Sequence, residues 1–184
     1  VIKAWQNGDS RPIQAEVSRL GIEIARRAAA RVYGEYQSLA DTLKSFAPKR
    51  IADIGCGYAF FDLFAASDLE AEVLLIDLEA NEHRHFGFQT EGAAYSSLAV
   101  ARKLLEDNGV ESGVIETLNP RDHPPESAAP VDLVVSFLSC GFHYPVDSYL
   151  PFIDKVLVSG GVAIFDLRMD TAAVQSKQLE TFGT

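Results

Sequence analysis

Arg50-Ile51-Ala52-Asp53-Ile54-Gly55-Cys56-Gly57-Tyr58-Ala59, followed by Phe60-Phe61-Asp62-Leu63-Phe64, decides how this chain is read. Ile51 to Ile54 form an apolar run short enough for a buried strand, the glycines mark a sharp turn, and the run from Phe60 opens a helix. Gly55 and Gly57 lack a Cβ and accept φ values closed to other residues, so a ligand can approach the backbone there. The following helix points its unpaired amides back at the turn. A glycine turn alone is a weak signal, because many α/β proteins use one for packing.

A second acid sharpens it. Glu72-Val73-Leu74-Leu75-Ile76-Asp77 reads as the next strand. Asp77 falls about 22 residues after Gly55, near the spacing at which an acid on the second strand reaches a ribose held over the first turn. Two cofactors use that geometry. The dinucleotide fingerprint G-x-G-x-x-G/A, laid on Gly55 and Gly57, needs Gly or Ala at position 60, where this chain has Phe. A nicotinamide-dependent oxidoreductase is therefore disfavoured. The run Asp53-Ile54-Gly55-Cys56-Gly57-Tyr58-Ala59 instead resembles motif I of the class I S-adenosylmethionine-dependent methyltransferases, acid-x-Gly-x-Gly-x-Gly. Ala59 replaces the third glycine, an exchange that costs little where the residue has helical dihedrals.

Composition bounds the alternatives. The 184 residues are 47% hydrophobic and 23% charged, which fits one globular domain with a single core. The formal charge of -10 argues against a nucleic-acid-tracking surface, which needs a clustered basic face. Small or cationic ligands suit it better. Cys56 and Cys140 have no metal-ligand spacing and no disulfide framework, so a reducing, cytoplasmic setting is the default. No apolar run approaches membrane-spanning length, and the start Val1-Ile2-Lys3-Ala4-Trp5 has no signal-peptide pattern.

Along the chain, Ile13, Val17, Leu20, Ile24, Ala28 and Val32 recur at helical spacing behind Ser10 as cap and Pro12 in the first turn. Gly34 is expected to interrupt that helix, and a second carries Tyr36, Leu39, Leu43 and Phe46 up to Pro48. Residues 1–48 thus read as a helical cap or packing segment, and residues 49–184 as the ligand-binding domain. Glu82-His83-Arg84-His85-Phe86-Gly87-Phe88 is too polar for a core and too ring-rich for a linker. Its H-x-H spacing lacks further ligands, so no metal site is expected. A helix is expected from about Glu91 to Asn108, strands at Gly113 to Leu118 and Val131 to Phe137, and a helix from about Asp147 to Val158. Ser159-Gly160-Gly161 then turns into a strand from Val162 to Arg168, and Ala172 to Thr181 reads as a last helix.

The resemblance runs from about Arg50 to Arg168 and implies a Rossmann-like, doubly wound α/β fold, a mostly parallel sheet with helices on both faces. It implies S-adenosyl-L-methionine as cofactor, contacted by Asp53, Gly55, Cys56, Gly57 and Tyr58 at the turn and by Asp77 and Leu78 at the ribose. Asn119 would hold the adenine, where an acid is more usual, and Ser136 and Phe137 would close the site. Gly141-Phe142-His143-Tyr144-Pro145 occupies the position of motif IV but lacks the Asn/Asp-Pro-Pro-Tyr/Phe signature of amino-directed nucleic-acid enzymes. A small-molecule acceptor, at a hydroxyl oxygen, is the reading that remains. His143 is then the candidate base, because imidazole titrates near neutrality, and Tyr144 a candidate to orient the acceptor. The alternative is a catalytically silent cofactor-binding module that works through a protein partner. Five strands are countable, two fewer than the family's usual sheet. A long apolar strand from Val162 to Leu167 would end the sheet with an unpaired edge. Residues beyond Thr184, or a second chain as in a homodimer, are expected to cover it.

Overall fold

The computed structural model describes residues 1–79, 88–89 and 97–183. Five strands, β1 (Arg50–Ile54), β2 (Glu72–Ile76), β3 (Ile115–Leu118), β4 (Val131–Ser136) and β5 (Leu157–Phe165), form one sheet in the order β3-β2-β1-β4-β5. Every pairing is parallel. The chain reverses its direction of growth between β1 and β4, so the carboxyl end of β1 is the switch point where such sheets open a ligand crevice.

Seven helices accompany the described strands: α1 (Ile2–Gln6), α2 (Arg11–Leu20), α3 (Ile22–Phe46), α4 (Phe60–Leu69), α5 (Leu98–Asp107), α6 (Leu150–Val156) and α7 (Ala172–Leu179). Alternation along the strands sorts them into two layers. Ala52, Ile54, Leu74, Ile76 and Val134 face Phe152, Ile153 and Val156 of α6, with Leu179 of α7 against the same cluster. Ile51, Leu133 and Val135 face the other way, onto Tyr36 and Leu43 of α3 and Phe61 and Ala65 of α4. Val73 and Leu75 share that face with Leu98, Ala101 and Leu105 of α5. Helices therefore cover both faces. Each fully buried Leu or Ile in these layers contributes about 1.5–3 kcal/mol.

Several expectations shift. The helical break falls at Gly21, whose φ of 52° and ψ of -133° leave the helical basin, and not at Gly34, which lies inside the 25-residue α3. A helix-interior glycine costs only about 1 kcal/mol, which the packing of Tyr36 and Leu43 outweighs. Ser10 stands at the cap position of α2, but Asp9 Oδ1 is the atom that accepts from the Arg11 amide, at 3.1 Å. The helix expected from Asp147 splits into a 3-10 turn, Val146–Tyr149, and α6. The Gly160-Gly161 turn lies within β5, not before it. Val131 pairs with Leu157 and Leu133 with Val162, so the register jumps across the glycines. The expected start of the fifth helix near Glu91, and the segment with His83, Arg84 and His85, lie outside the described residues.

Candidate functional site

The turn after β1 is built by backbone and by one acid. Gly55 donates to the Ile76 carbonyl at 2.7 Å, and Ala59 to that of Cys56 at 2.8 Å. Gly57 donates to Asp77 Oδ2 at 2.8 Å, while Leu78 donates to Asp77 Oδ1 at 2.7 Å. Asp77 thus ties the end of β2 to the turn, bringing together the two features that the sequence spacing joined.

The two glycines have different work. Gly55 has a φ of 77°, and a Cβ there would lie 1.8 Å from Ser139 Oγ, so the approach it permits is by the chain after β4. Gly57 has a φ of 58°, and a Cβ there would meet no atom of the described residues within 4 Å. The open face of the turn is at Gly57. Ala59 is left-handed, with φ 58° and ψ 36°, and forms the cap of α4. The expected helical dihedrals are therefore overturned, and the exchange for glycine costs about 1–2 kcal/mol. Its Cβ is enclosed beside Cys56, Ala66 and Leu75, which offsets part of that cost.

Beside the turn, on the α3 and α4 face, lies a cavity of about 120 Å³. Asp53, Gly55 and Cys56 form its floor, Glu35 and Leu39 of α3 one wall, and Phe61, Phe137 and Leu138 the other. Phe61 and Phe137 stack with ring centroids 4.7 Å apart. Leu138 holds a left-handed φ of 52°, with its amide donating to Asp166 Oδ2 at 3.2 Å. Strain of this kind, about 1–3 kcal/mol, persists where surrounding contacts fix it. α3 is thus both packing helix and cavity wall, whereas α1 and α2 contain no buried residue.

The floor is acidic. Asp53 is 4% exposed and Asp62, on the first turn of α4, is 0% exposed. Burial, reinforced by the Asp62 and Asp77 charges, raises the Asp53 carboxyl well above the ordinary range. Burial likewise raises Asp62 to about 7. The Cys56 thiol is pushed far up by burial and by these three acids, so it stays protonated and is no nucleophile. Asp62 escaped the sequence reading. Its signal was an acid within Phe60-Phe61-Asp62-Leu63-Phe64, a helix start with little polar surface to place it on.

The remaining expected residues divide. Tyr58 is 44% exposed on the turn. Tyr144 Oη lies 3.8 Å from the position of a Gly55 Cβ and 3.3 Å from Ser139 Oγ, over the turn. Burial raises its phenol well above the ordinary value, which leaves a hydroxyl donor. The His143 ring packs edge-on against Phe142 at 5.1 Å, and its carbonyl accepts from Gln89 at 2.8 Å. Asn119 closes its own loop by donating to Asp122 Oδ2 and accepting from Arg121. Ser136, expected at the cofactor, is fully enclosed. Its hydroxyl donates to the Ile54 carbonyl at 2.7 Å and accepts from the Cys140 amide at 2.9 Å, a staple between β1 and the chain after β4. Gln175 of α7 went unnoticed. Its amide accepts from Val146 and donates to the Gly141 carbonyl, clasping the loop that carries His143 and Tyr144.

Among the described residues no group of three or more His, Cys, Asp or Glu could hold a metal, and no helix is long and apolar enough to cross a membrane. No family model and no curated protein sequence matches the chain. Solved structures do match its fold. A candidate O-methyltransferase of Nostoc punctiforme superposes with a TM-score of 0.52 at 18% identity, over 81% of this chain and 42% of that one. A candidate O-methyltransferase of Klebsiella pneumoniae gives 0.52 at 18% identity, over 88% and 74%. The precorrin-6y C5,15-methyltransferase of Geobacter metallireducens gives 0.50 at 17% identity, over 72% and 62%. The chain thus spans less than half of the Nostoc protein and under two thirds of the Geobacter one. Strand order, all-parallel pairing and these superpositions together establish that the chain has the Rossmann-like fold of the class I methyltransferases.

Proposed function

We propose that the chain binds S-adenosyl-L-methionine across the carboxyl ends of β1 and β2 and transfers its methyl group to a small-molecule acceptor, at a hydroxyl oxygen, leaving S-adenosylhomocysteine. The observation that carries this reading is the open, positive-φ turn at Gly57 held by Asp77, beside a cavity floored by Asp53. The residues present fit that cofactor. The Asp77 carboxylate suits a ribose diol, and the acidic floor with its orphaned Asp53 Oδ1 suits an ammonium group. When bound, the cofactor supplies a sulfonium-activated methyl group.

The work left to the chain is positioning, which can lower a barrier by roughly 7–11 kcal/mol. The Gly57 amide and Asp77 fix the nucleoside side, and Asp53 the amino-acid side. Tyr144, protonated, stands beside Ser139 as a hydroxyl that can orient the acceptor. A hydroxyl acceptor must lose a proton as the bond forms, and His143 is the group assigned to take it. The charge of -10 supports a small acceptor over a nucleic acid.

Calorimetry with S-adenosylhomocysteine, the demethylated product, tests the reading. Asp77→Ala should weaken binding by about 1.5–3 kcal/mol, as for a lost hydrogen bond to a charged group. Unchanged affinity in a variant with a native melting profile overturns the site. A donor assay over a panel of small hydroxyl compounds tests transfer, and His143→Ala should lower its rate by about 10²–10⁴. Binding without turnover across the panel would favour the silent module.

A further inference from the structure

Asp62 touches no part of the cavity wall, yet it shapes the cavity's charge. Asp53 projects from the face of β1 that packs on α3 and α4, and Asp62 meets it from the first turn of α4. Asp53 Oδ1 and both oxygens of Asp62 are shut away from solvent without a hydrogen-bond partner among the described residues. Two ionised carboxylates in that setting repel each other, and burial penalises the charge on both. A single proton between them supplies both needs, because one carboxyl then donates and the other accepts.

The described neighbours beside the pair add negative charge. From the turn comes the protonated Cys56 thiol, from the end of β2 the Asp77 carboxylate, and from α3 the Glu35 carboxylate on the cavity wall. The described charges that act on Asp53 are all negative. Asp53 reaches the cavity and Asp62 does not, so a charge entering the cavity acts on the pair through Asp53.

We propose that Asp53 and Asp62 share one proton in the free protein, and that a ligand ammonium group entering the cavity displaces that proton to solvent. The proposal rests on the reading of this cavity as the seat of the cofactor's amino-acid end. The balance is simple. A singly protonated pair and an ammonium cation become two carboxylates, the bound ammonium and one free proton, and only an O–H bond breaks. Asp62 is a positioning residue here, setting the charge that Asp53 presents.

The test is calorimetry with S-adenosylhomocysteine on the whole chain at about pH 6, in phosphate and in imidazole, buffers of low and high ionisation enthalpy. The wild type should release up to about one proton per ligand, and its affinity should rise with pH, by at most about tenfold per unit, while the pair keeps its proton. Asp62→Asn, or Asp62→Ser if that variant folds better, should still bind while releasing clearly less than the wild type, with a shallower pH profile. Equal heats in both buffers for the wild type overturn the proposal and leave the site reading intact. So does an Asp62→Asn protein that releases the same proton. Absence of binding at every pH overturns the site reading instead, and the proposal falls with it.

Discussion

β1 and β5 are both parallel strands of mainly apolar sequence, yet the fold holds them in opposite ways. β1 is paired on both edges and buried from Ile51 to Ile54, with each face packed under helices. β5 is paired to β4 alone, its residues are half-buried or exposed, and its register jumps at a glycine pair. A strand buried on two sides cannot slip, since a shift of one residue would bring Asp53 to the wrong layer. A strand covered on one edge tolerates an insertion. Precision is therefore concentrated where the ligand is proposed to bind.

The sharpest way to break the contrast is Gly55→Ala. The new Cβ meets Ser139 Oγ at 1.8 Å and Ser139 Cβ at 2.4 Å, on a backbone with φ 77°. Overpacking and left-handed strain together should cost about 2–5 kcal/mol in urea unfolding. Ser139→Gly in the same chain should return the overpacking part alone. The next effect is on pH dependence. Asp62 sits at about 7 in the folded chain, above its ordinary 3.8, so the folded state holds a proton that the unfolded state has lost. Its stabilising contribution is complete below about pH 4 and disappears as pH rises toward 7, by at most about 1.4 kcal/mol per pH unit. Asp166, also raised by burial, adds to the same slope. Urea midpoints followed from pH 4.5 to 7.5, from about half a unit inside that window to about half a unit beyond it, should slope less in Asp62→Asn than in the wild type.

On β5 the effects should shrink. Gly160→Ala places a Cβ in open space at φ 81°, so only the backbone strain remains, about 1 kcal/mol by the same measurement. Val162→Thr, at a residue 37% exposed, should change stability by less than about 0.5 kcal/mol. A large loss there would mean that β5 is as tightly held as β1, and the comparison would fail.

The sequence made β1, its turn, α4 and Asp77 legible because each leaves a local mark: apolar run, glycines, apolar helix, acid at fixed spacing. The five strands followed from the same periodicities, and the helical layers on both faces from the resemblance that the turn carries. What it hid depends on contacts between distant residues. Gly34 reads as a break and Gly21 does not, because whether a helix survives a glycine is settled by what Tyr36 and Leu43 bury. Ala59 gave no sign of its left-handed backbone. Gly55 looked like a ligand position, yet its freedom is taken up by Ser139. Ser136 stood beside the expected motif but turned into the core, and Gln175 acts across 34 residues on the Gly141 carbonyl.

β1 has neighbours made at very different times. Its partner β2 follows closely, but the Asp132 carboxylate that receives the Lys49 and Arg50 amides lies 82 residues beyond Arg50. On a ribosome adding about 5–20 residues per second, the roughly 60 residues from β2 to β4 take about 3–12 s. For that interval the nascent sheet centre has one bare, apolar edge beside the very turn that is proposed to grip the ligand. The strand most fixed in the finished molecule is the one most in need of shelter during its birth.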